Sequence, residues 1–212
     1  MKTEDLIADL SKDAAATPLR PLRIGAALSG VIILCAAAFL AVAGIRDGLG
    51  AALSDPVIGS KTFLPFVLCV AAVASALRLM RPERNGQFRI FVPALVGLAA
   101  GVILVAGGFV AQPRELWFAE LNPVSVTQCL GFILLISVPA LALSFRLLAQ
   151  GATTAPMRSG AVLGCAVSAG VTTGYSLYCV QDNPVFFVIW YGMAILIMTA
   201  IGALAGSRFL RW

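Results

Sequence analysis

The sequence predicts an all-α integral membrane protein, in which a short cytoplasmic N-terminal helix precedes a bundle of six transmembrane helices. Composition is the first of two observations that predict this fold class. Of the 212 residues, 60% are hydrophobic and only 12% are charged, whereas soluble chains contain about 25% charged residues. The second observation is that stretches of roughly 20 uncharged, mostly apolar residues recur along the chain, and such a stretch crosses the hydrocarbon core of a bilayer as an α-helix.

These stretches divide the chain into two parts. Residues 1–23 form a polar cytoplasmic segment, and residues 24–212 form the transmembrane domain. The second span is short because Lys61 and Arg78 enclose it, but both side chains are long enough to snorkel to the lipid headgroups. The six predicted spans cover approximately residues 24–45, 62–79, 90–111, 125–146, 159–180 and 185–206.

The distribution of Lys and Arg predicts the orientation of the bundle. Twelve of the 15 basic residues fall on the side that holds both termini, and only Arg46, Lys61 and Arg114 fall on the other side. Because loops rich in Lys and Arg stay in the cytoplasm, we expect a multi-pass membrane protein with both termini cytoplasmic. The acidic, polar lead before the first span also argues against a cleaved signal peptide.

The absence of histidine excludes several classes of chemistry. With no histidine in the chain, a Ser-His-Asp triad, a histidine general base, a histidine-bound haem and a Cys2His2 zinc site are impossible. The interior of the predicted spans also lacks Asp, Glu, Lys and Arg, and ion-coupled carriers usually keep such a group inside the membrane. These two absences disfavour histidine-dependent catalysis and ion-coupled transport. We expect a protein that is not an enzyme and has no catalytic residue, cofactor or resident metal site.

Two alternative functions remain open at this point. One is a membrane thiol oxidoreductase that passes electrons from thiols to a quinone, although the chain lacks the Cys-x-x-Cys motif that such enzymes normally use. The other is a small-solute channel or carrier, which the uncharged interiors of the spans disfavour.

Small residues spaced four apart predict close contacts between helices. Such stripes let helix backbones approach each other, either within one chain or between the two copies of a homodimer. They occur in the third, fifth and sixth spans, at Gly97 and Gly101, at Gly160, Gly164, Ser168 and Thr172, and at Gly202 and Gly206.

Aromatic residues cluster toward the outer ends of the predicted spans. Aromatic belts of this kind are typical of the interface between membrane and water, so we interpret these residues as membrane anchors. They are Trp117, Tyr175, Tyr178, Trp190 and Tyr191.

The predicted topology separates the five cysteines by depth. Cys35, Cys69 and Cys165 fall inside spans, and we interpret them as small buried apolar residues. Cys129 lies near the start of the fourth span and Cys179 near the end of the fifth, so both fall at the outer face of the membrane. Such a pair can form a disulfide, capture a soft metal or simply contribute to packing. Two sulfurs are too few for a closed structural zinc site, which needs four ligands.

The N-terminal segment contains one amphipathic stretch. A threonine can cap a short helix whose first turn contains two acids, and three apolar residues then share one face of that helix. A helix of about ten residues is marginal alone in water, so its apolar face needs the membrane surface, a partner groove or the protein's own loops. The four acids of the segment disfavour binding to anionic lipid and favour a protein partner. The residues that we expect to bind a partner protein are Thr3, Glu4, Asp5, Leu6, Ile7 and Leu10.

Four parts of the chain resemble the bacterial negative regulator of sigma F family. They are the first ten residues MKTEDLIADL, Cys129 with the later Pro139-Ala-Leu-Ala, the segment from Cys179 to Tyr191, and the terminal RFLRW. The resemblance extends over essentially the whole chain.

This resemblance implies a function and a mechanism. Members of the family are inner-membrane anti-sigma factors that hold an extracytoplasmic-function sigma factor inactive and release it under oxidative or heavy-metal stress. Carried over by position, the sensing cysteines are Cys129 and Cys179, and the helix from Thr3 to Leu10 binds the sigma factor. The implied partners are thus a sigma factor and the lipid bilayer, with no direct contact to nucleic acid, and homodimerisation stays open.

Overall fold

The computed structural model describes residues 3–5, 7, 20–80, 92–111, 113–114, 122–151 and 153–210. No β-strand occurs in these ranges, so the predicted all-α class is confirmed. From residue 20 onward, the described ranges contain six long α-helices and one short α-helix. In chain order they are α1 (Pro21–Ala43), α2 (Leu49–Ser54), α3 (Pro56–Leu79), α4 (Val92–Ala111), α5 (Pro123–Leu148), α6 (Pro156–Ser176) and α7 (Pro184–Phe209).

Local sequence explains where most of the long helices begin. Helices α1, α3, α5, α6 and α7 each start with a proline, which suits the first helical position because an N–H there would have no partner within the helix. Asp55, Asn122 and Asn183 precede α3, α5 and α7. Their side-chain oxygens accept hydrogen bonds of 2.8, 3.0 and 3.0 Å from the backbone N–H two residues later. Each such cap stabilises its helix by about 1 kcal/mol.

Helix α6 lies at the centre of the bundle. It packs most extensively against α7 and α3 and also contacts α5 and α1. A Cβ atom placed on Gly160 would lie 2.7 Å from the Cα of Gly206, and one placed on Gly202 would lie 3.0 Å from the Cα of Gly164. The small-residue stripes of α6 and α7 therefore face each other and allow close backbone contact within one chain.

Four helices, and not the six expected, are long and apolar enough to span a membrane, namely α1, α3, α5 and α7 among the described residues. Helix α4 contributes a shorter apolar stretch, Leu95–Val110. Helix α6 has 21 residues but is rich in small and polar side chains. The physical reason is that neighbouring helices enclose α6, so its side chains contact protein and need not be strongly apolar. Four of the six predicted spans therefore meet this criterion among the described residues, whereas α4 and α6 do not.

Two helix ends differ from the predicted spans in ways that matter for the cysteines. Helix α3 begins at Pro56, so Lys61 lies inside the helix and not before it. Helix α6 ends at Ser176, so Cys179 lies in the connection to α7 and not in the helix. Hydropathy could not predict these ends, because the first depends on the Asp55 cap and the second on contacts with distant residues.

The structure describes only part of the predicted N-terminal helix. Thr3, Glu4, Asp5 and Ile7 are helical and exposed, and 61% of the surface of Ile7 is exposed. The other two residues of the predicted apolar face, Leu6 and Leu10, lie outside the described residues.

Candidate functional site

Cys129 and Cys179 come together inside one end of the bundle, which we call the thiol end. Cys129 lies in the second turn of α5, and Cys179 follows the end of α6 by three residues. Both thiols are free, and only 0% and 4% of the two residues' surfaces are exposed. Each of these side chains lies beside that of Tyr175. The two cysteines that topology paired are therefore close in space, although they are buried and not exposed.

Aromatic side chains surround the thiol pair. The ring centroid of Tyr175 lies 5.9 Å from that of Phe39 in α1 and 6.0 Å from that of Tyr191 in α7. Tyr175 and Tyr191 are each only 3% exposed, so the prediction that they anchor the protein at the membrane surface is wrong. Both face the interior contact between α6 and α7. The Tyr191 hydroxyl lies beside Cys179 but has no well-formed hydrogen bond. The rings shield the thiols and connect them to α1 and α7.

Residues 177–183, which we call the thiol loop, carry Cys179 from α6 to α7, and Lys61 of α3 binds this loop. Lys61 is only 2% exposed. Its ammonium group donates to the carbonyl oxygens of Cys179 and Gln181, both at 2.7 Å, and to Asp182 Oδ1 at 3.1 Å. Three acceptors thus match the three donors of the ammonium group. The prediction that Lys61 snorkels to lipid headgroups is therefore wrong, because the loop offers it a protein site.

Arg46, in the connection after α1, binds the same loop. Its guanidinium group donates to the two carboxylate oxygens of Asp182 at 2.7 and 2.9 Å and to the carbonyl oxygen of Cys179 at 3.2 Å. Its backbone N–H donates to the carbonyl of Leu177 at 3.0 Å. Paired hydrogen bonds between arginine and a carboxylate fix orientation as well as distance. The carbonyl of Cys179 is therefore held by two cations that come from different segments.

We call Arg46, Lys61 and Asp182 the ion cluster, and its geometry controls the ionisation of two members. Partial burial alone would raise the pKa of the Asp182 carboxyl, but hydrogen bonds and charges from Arg46 and Lys61 outweigh burial and hold this pKa below its ordinary value of 3.8. The hydrogen bond to Asp182 raises the pKa of Arg46 above its ordinary range. Asp182 and Arg46 are therefore both charged at neutral pH.

Two further hydrogen bonds attach the thiol loop and its flank to neighbouring helices. The side-chain amide of Gln181 donates to the hydroxyl of Ser125 in α5 at 3.2 Å. The hydroxyls of Thr62 in α3 and Ser176 in α6 share a hydrogen bond of 2.8 Å. The loop is thus attached to α3, to α5 and to the connection after α1.

The other three cysteines do not join the thiol pair. Cys35, Cys69 and Cys165 are free and partly buried. The sulfur of Cys69 would lie 2.9 Å from a Cβ atom placed on Gly170 of α6, which is the close contact expected of a packing residue. Within the described ranges, no group of three or more His, Cys, Asp or Glu side chains could hold a metal ion.

Sequence reasoning missed the ion cluster and the contact of Tyr175 with both thiols. One indication was available: Arg46 and Lys61 are two of only three basic residues on the predicted outer side, where Asp182 also falls. Pairing them required spatial information, because 136 positions separate Arg46 from Asp182 and 121 separate Lys61 from Asp182.

Apolar helices of spanning length around a buried pair of thiols define a helical membrane protein. The particular family follows from comparison with known sequences. The model of the family described as "Negative regulator of sigma F" matches residues 9–212, and the chain belongs to this family. The family resemblance predicted from the sequence motifs is therefore confirmed.

Two relatives match over their full length. The chain is 31% identical over 219 residues to the anti-sigma-F factor NrsF of Caulobacter vibrioides (strain NA1000 / CB15N). It is 32% identical over 224 residues to the probable anti-sigma-F factor NrsF of Azospira oryzae (strain ATCC BAA-33 / DSM 13638 / PS). Each comparison covers 100% of this chain and 100% of the relative. No solved structure matches the chain.

Proposed function

We propose that this protein is a membrane-bound anti-sigma factor that sequesters an extracytoplasmic-function sigma factor and releases it under oxidative or heavy-metal stress. The observation that carries the proposal is the full-length similarity to two proteins named as anti-sigma-F factors. An anti-sigma factor acts by binding, so the family points to a regulator and not to an enzyme. The comparisons lend no support to the thiol oxidoreductase or to the small-solute carrier.

In this proposal the bundle lies in the bacterial inner membrane with both termini in the cytoplasm. The four helices of spanning length support a membrane location. All six long helices cross, and α6 does so because its neighbours shield its small and polar residues from lipid. The excess of Lys and Arg on the side of the termini directs the thiol end to the periplasm, which is an oxidising compartment.

The N-terminal segment is the proposed binding site for the sigma factor. Ile7 is largely exposed, as are Glu4 and Asp5 beside it. An exposed apolar residue on a short helix gains burial when the helix enters a groove on a partner. The residues proposed to form this contact are Thr3, Glu4, Asp5, Leu6, Ile7 and Leu10.

The thiol pair is the proposed sensor of stress. With hydrogen peroxide as the oxidant, a bond forms between the sulfurs of Cys129 and Cys179. The two thiols lose two electrons and two protons to the peroxide, whose O–O bond breaks to give two water molecules. A soft metal ion would instead bind both sulfurs as thiolates and release two protons. The side chains of Cys129 and Cys179 both lie beside Tyr175, which supports a reaction that involves both thiols.

The reaction at the thiols must alter the N-terminal segment, and α1 is the helix that follows this segment in the sequence. Phe39 of α1 packs against Tyr175, which lies beside both thiols. To shift the ratio of the releasing state to the retaining state of the protein from 1:99 to 99:1, the reaction must stabilise the releasing state by about 5.5 kcal/mol relative to the other. A disulfide supplies about 2–4 kcal/mol, so repacking of the surrounding rings has to supply the remainder.

Co-purification of the full-length protein with any sigma factor that is encoded beside its gene tests the proposal. The wild type should retain the sigma factor, whereas Ile7→Asp and Leu10→Asp should each weaken retention at least about tenfold, which corresponds to about 1.4 kcal/mol. Thr17→Asp is the matched control, because it adds the same charge to the same segment outside the predicted apolar face. Failure of the wild type to bind any neighbouring sigma factor would exclude the proposed function.

A further inference from the structure

We infer that the ion cluster of Arg46, Lys61 and Asp182 is a latch that holds the thiol loop closed over Cys129 and Cys179 and thereby sets how fast these thiols react. This inference rests on the proposed role of the two thiols as the sensor. It concerns the step before the thiol chemistry, in which the reagent reaches the sulfur atoms.

The burial of the thiols makes such a step necessary. Only 0% of Cys129 and 4% of Cys179 is exposed, and a buried thiol is inert because oxidants and metal ions cannot reach it. Tyr175 and Tyr191 belong to the same buried core and are held between long helices. The thiol loop, in contrast, is at the surface, with Val180 66% exposed. Opening of this loop would expose the thiols without separating two long helices.

The ion cluster supplies most of the polar contacts that oppose this opening. Lys61 donates to two carbonyl oxygens of the loop and to Asp182, and Arg46 donates to Asp182 and to the carbonyl of Cys179. The two cations belong to α3 and to the connection after α1. Opening of the loop must therefore break contacts with two separate segments at once.

Asp182 is the member on which closure depends. Its carboxylate is the shared counter-charge of both cations, at 2.7 Å from Arg46 and 3.1 Å from Lys61. Only 1% of the Lys61 side chain and 13% of the Arg46 side chain is exposed. Without the carboxylate, two poorly hydrated cations would face the loop with carbonyl acceptors alone, and a buried charge that has lost its partner is strongly unfavourable. Opening would then return both cations to water, so neutralisation of Asp182 should favour the open loop.

The test is the rate at which each cysteine of the full-length protein in membranes reacts with N-ethylmaleimide, measured residue by residue by mass spectrometry. Asp182→Asn and Lys61→Met should each raise the rates at Cys129 and Cys179 by about tenfold, equivalent to about 1.4 kcal/mol. Lys61→Arg keeps the positive charge, so the rates at Cys129 and Cys179 in this variant should lie within about threefold of the wild-type rates. Asp47→Asn is the matched control, because it removes an exposed acid next to Arg46 and should change nothing.

Cys69 and Cys165 distinguish a local opening from a general loss of structure. They lie within α3 and α6, so a latch variant should leave their rates at the wild-type value. A wild-type rate at Cys179 in Asp182→Asn would overturn the inference, and so would equal acceleration at all four cysteines. The assay contains no sigma factor. Failure of the latch is therefore distinguishable from failure of the anti-sigma function, which appears as lost co-purification.

Discussion

The ammonium nitrogen of Lys61 lies 2.7 Å from the carbonyl oxygen of Cys179, although 118 positions separate the two residues in the chain. A buried cation thus binds the backbone of one of the two thiol residues directly. Arg46 reaches the same carbonyl oxygen at 3.2 Å. The position of Cys179 therefore depends on charges from two other segments as well as on the packing of helices.

Replacement of either paired cysteine should separate sensing from repression. Cys129→Ser and Cys179→Ser should each leave resting repression intact and abolish induction, because a hydroxyl group forms neither a disulfide nor a strong bond to a soft metal. A reporter gene that depends on the sigma factor, measured with and without oxidant, records both properties. Cys35→Ser is the matched control and should behave like the wild type. Lost induction in Cys35→Ser, with normal induction in Cys129→Ser, would contradict the assignment.

The stabilisation by Asp182 should be constant across the physiological pH range. Partial burial opposes its ionisation, but Arg46 and Lys61, the charged groups that it faces, outweigh burial and hold its pKa below 3.8. A carboxyl whose pKa is lowered on folding stabilises the fold above its ordinary pKa, and this stabilisation is lost as the pH falls through the lowered value. The difference in Tm between the wild type and Asp182→Asn in detergent should therefore be constant from about pH 5 to 8 and shrink only below about pH 4.

A difference in Tm that changes between about pH 5 and pH 8 would contradict this interpretation of Asp182. Asp47→Asn provides the control, because Asp47 is exposed and belongs to the same connection as Arg46. The Tm of the Asp47→Asn variant should equal that of the wild type at every pH.

The contact between α6 and α7 should be sensitive to a single methyl group. Gly160→Ala should destabilise the protein by about 1–3 kcal/mol, because the new Cβ meets the carbonyl oxygen of Gly202 and lies 2.7 Å from the Cα of Gly206. Both are backbone atoms, so relief requires the helices to separate. In contrast, the new Cβ of Gly192→Ala in α7 meets no atom within 4 Å apart from its own stretch of helix. This substitution should keep or raise the Tm, because alanine favours helices. Thermal unfolding in detergent compares the two, and an unchanged Tm for Gly160→Ala would count against this contact.

The hydroxyl of Tyr175 should contribute to stability through the thiols. Tyr175→Phe removes the group that contacts Cys129 and Cys179 and keeps the ring that packs against Phe39. Loss of a buried hydrogen-bonding group costs about 0.5–1.5 kcal/mol, which for a chain of this size lowers the Tm by about 2–4 °C per kcal/mol. The control is Tyr178→Phe, because Tyr178 is only partly buried and should tolerate the change. Equal decreases in Tm for the two substitutions would show that the contact of Tyr175 with the thiols does not stabilise the protein.

The positions of the six long helices could be predicted from the sequence because they depend on local composition. A backbone in an apolar environment must satisfy its hydrogen bonds within the segment, so each long apolar run forms a helix. The same reasoning treated α6 like the other spans. Local composition cannot reveal that α6 is enclosed by other helices, which is the reason for its lower hydropathy.

The sequence by itself determined the all-α class, the approximate helix positions and the placement of Cys129 and Cys179 at one end of the bundle. These features follow from apolar runs and from the alternating direction of consecutive helices. Only the tertiary structure decided that both thiols are buried and that Lys61 and Arg46 bind the thiol loop through Asp182. Such contacts join residues 118 to 136 positions apart, and they arise from the way helices pack in three dimensions, which leaves no periodic pattern in the chain.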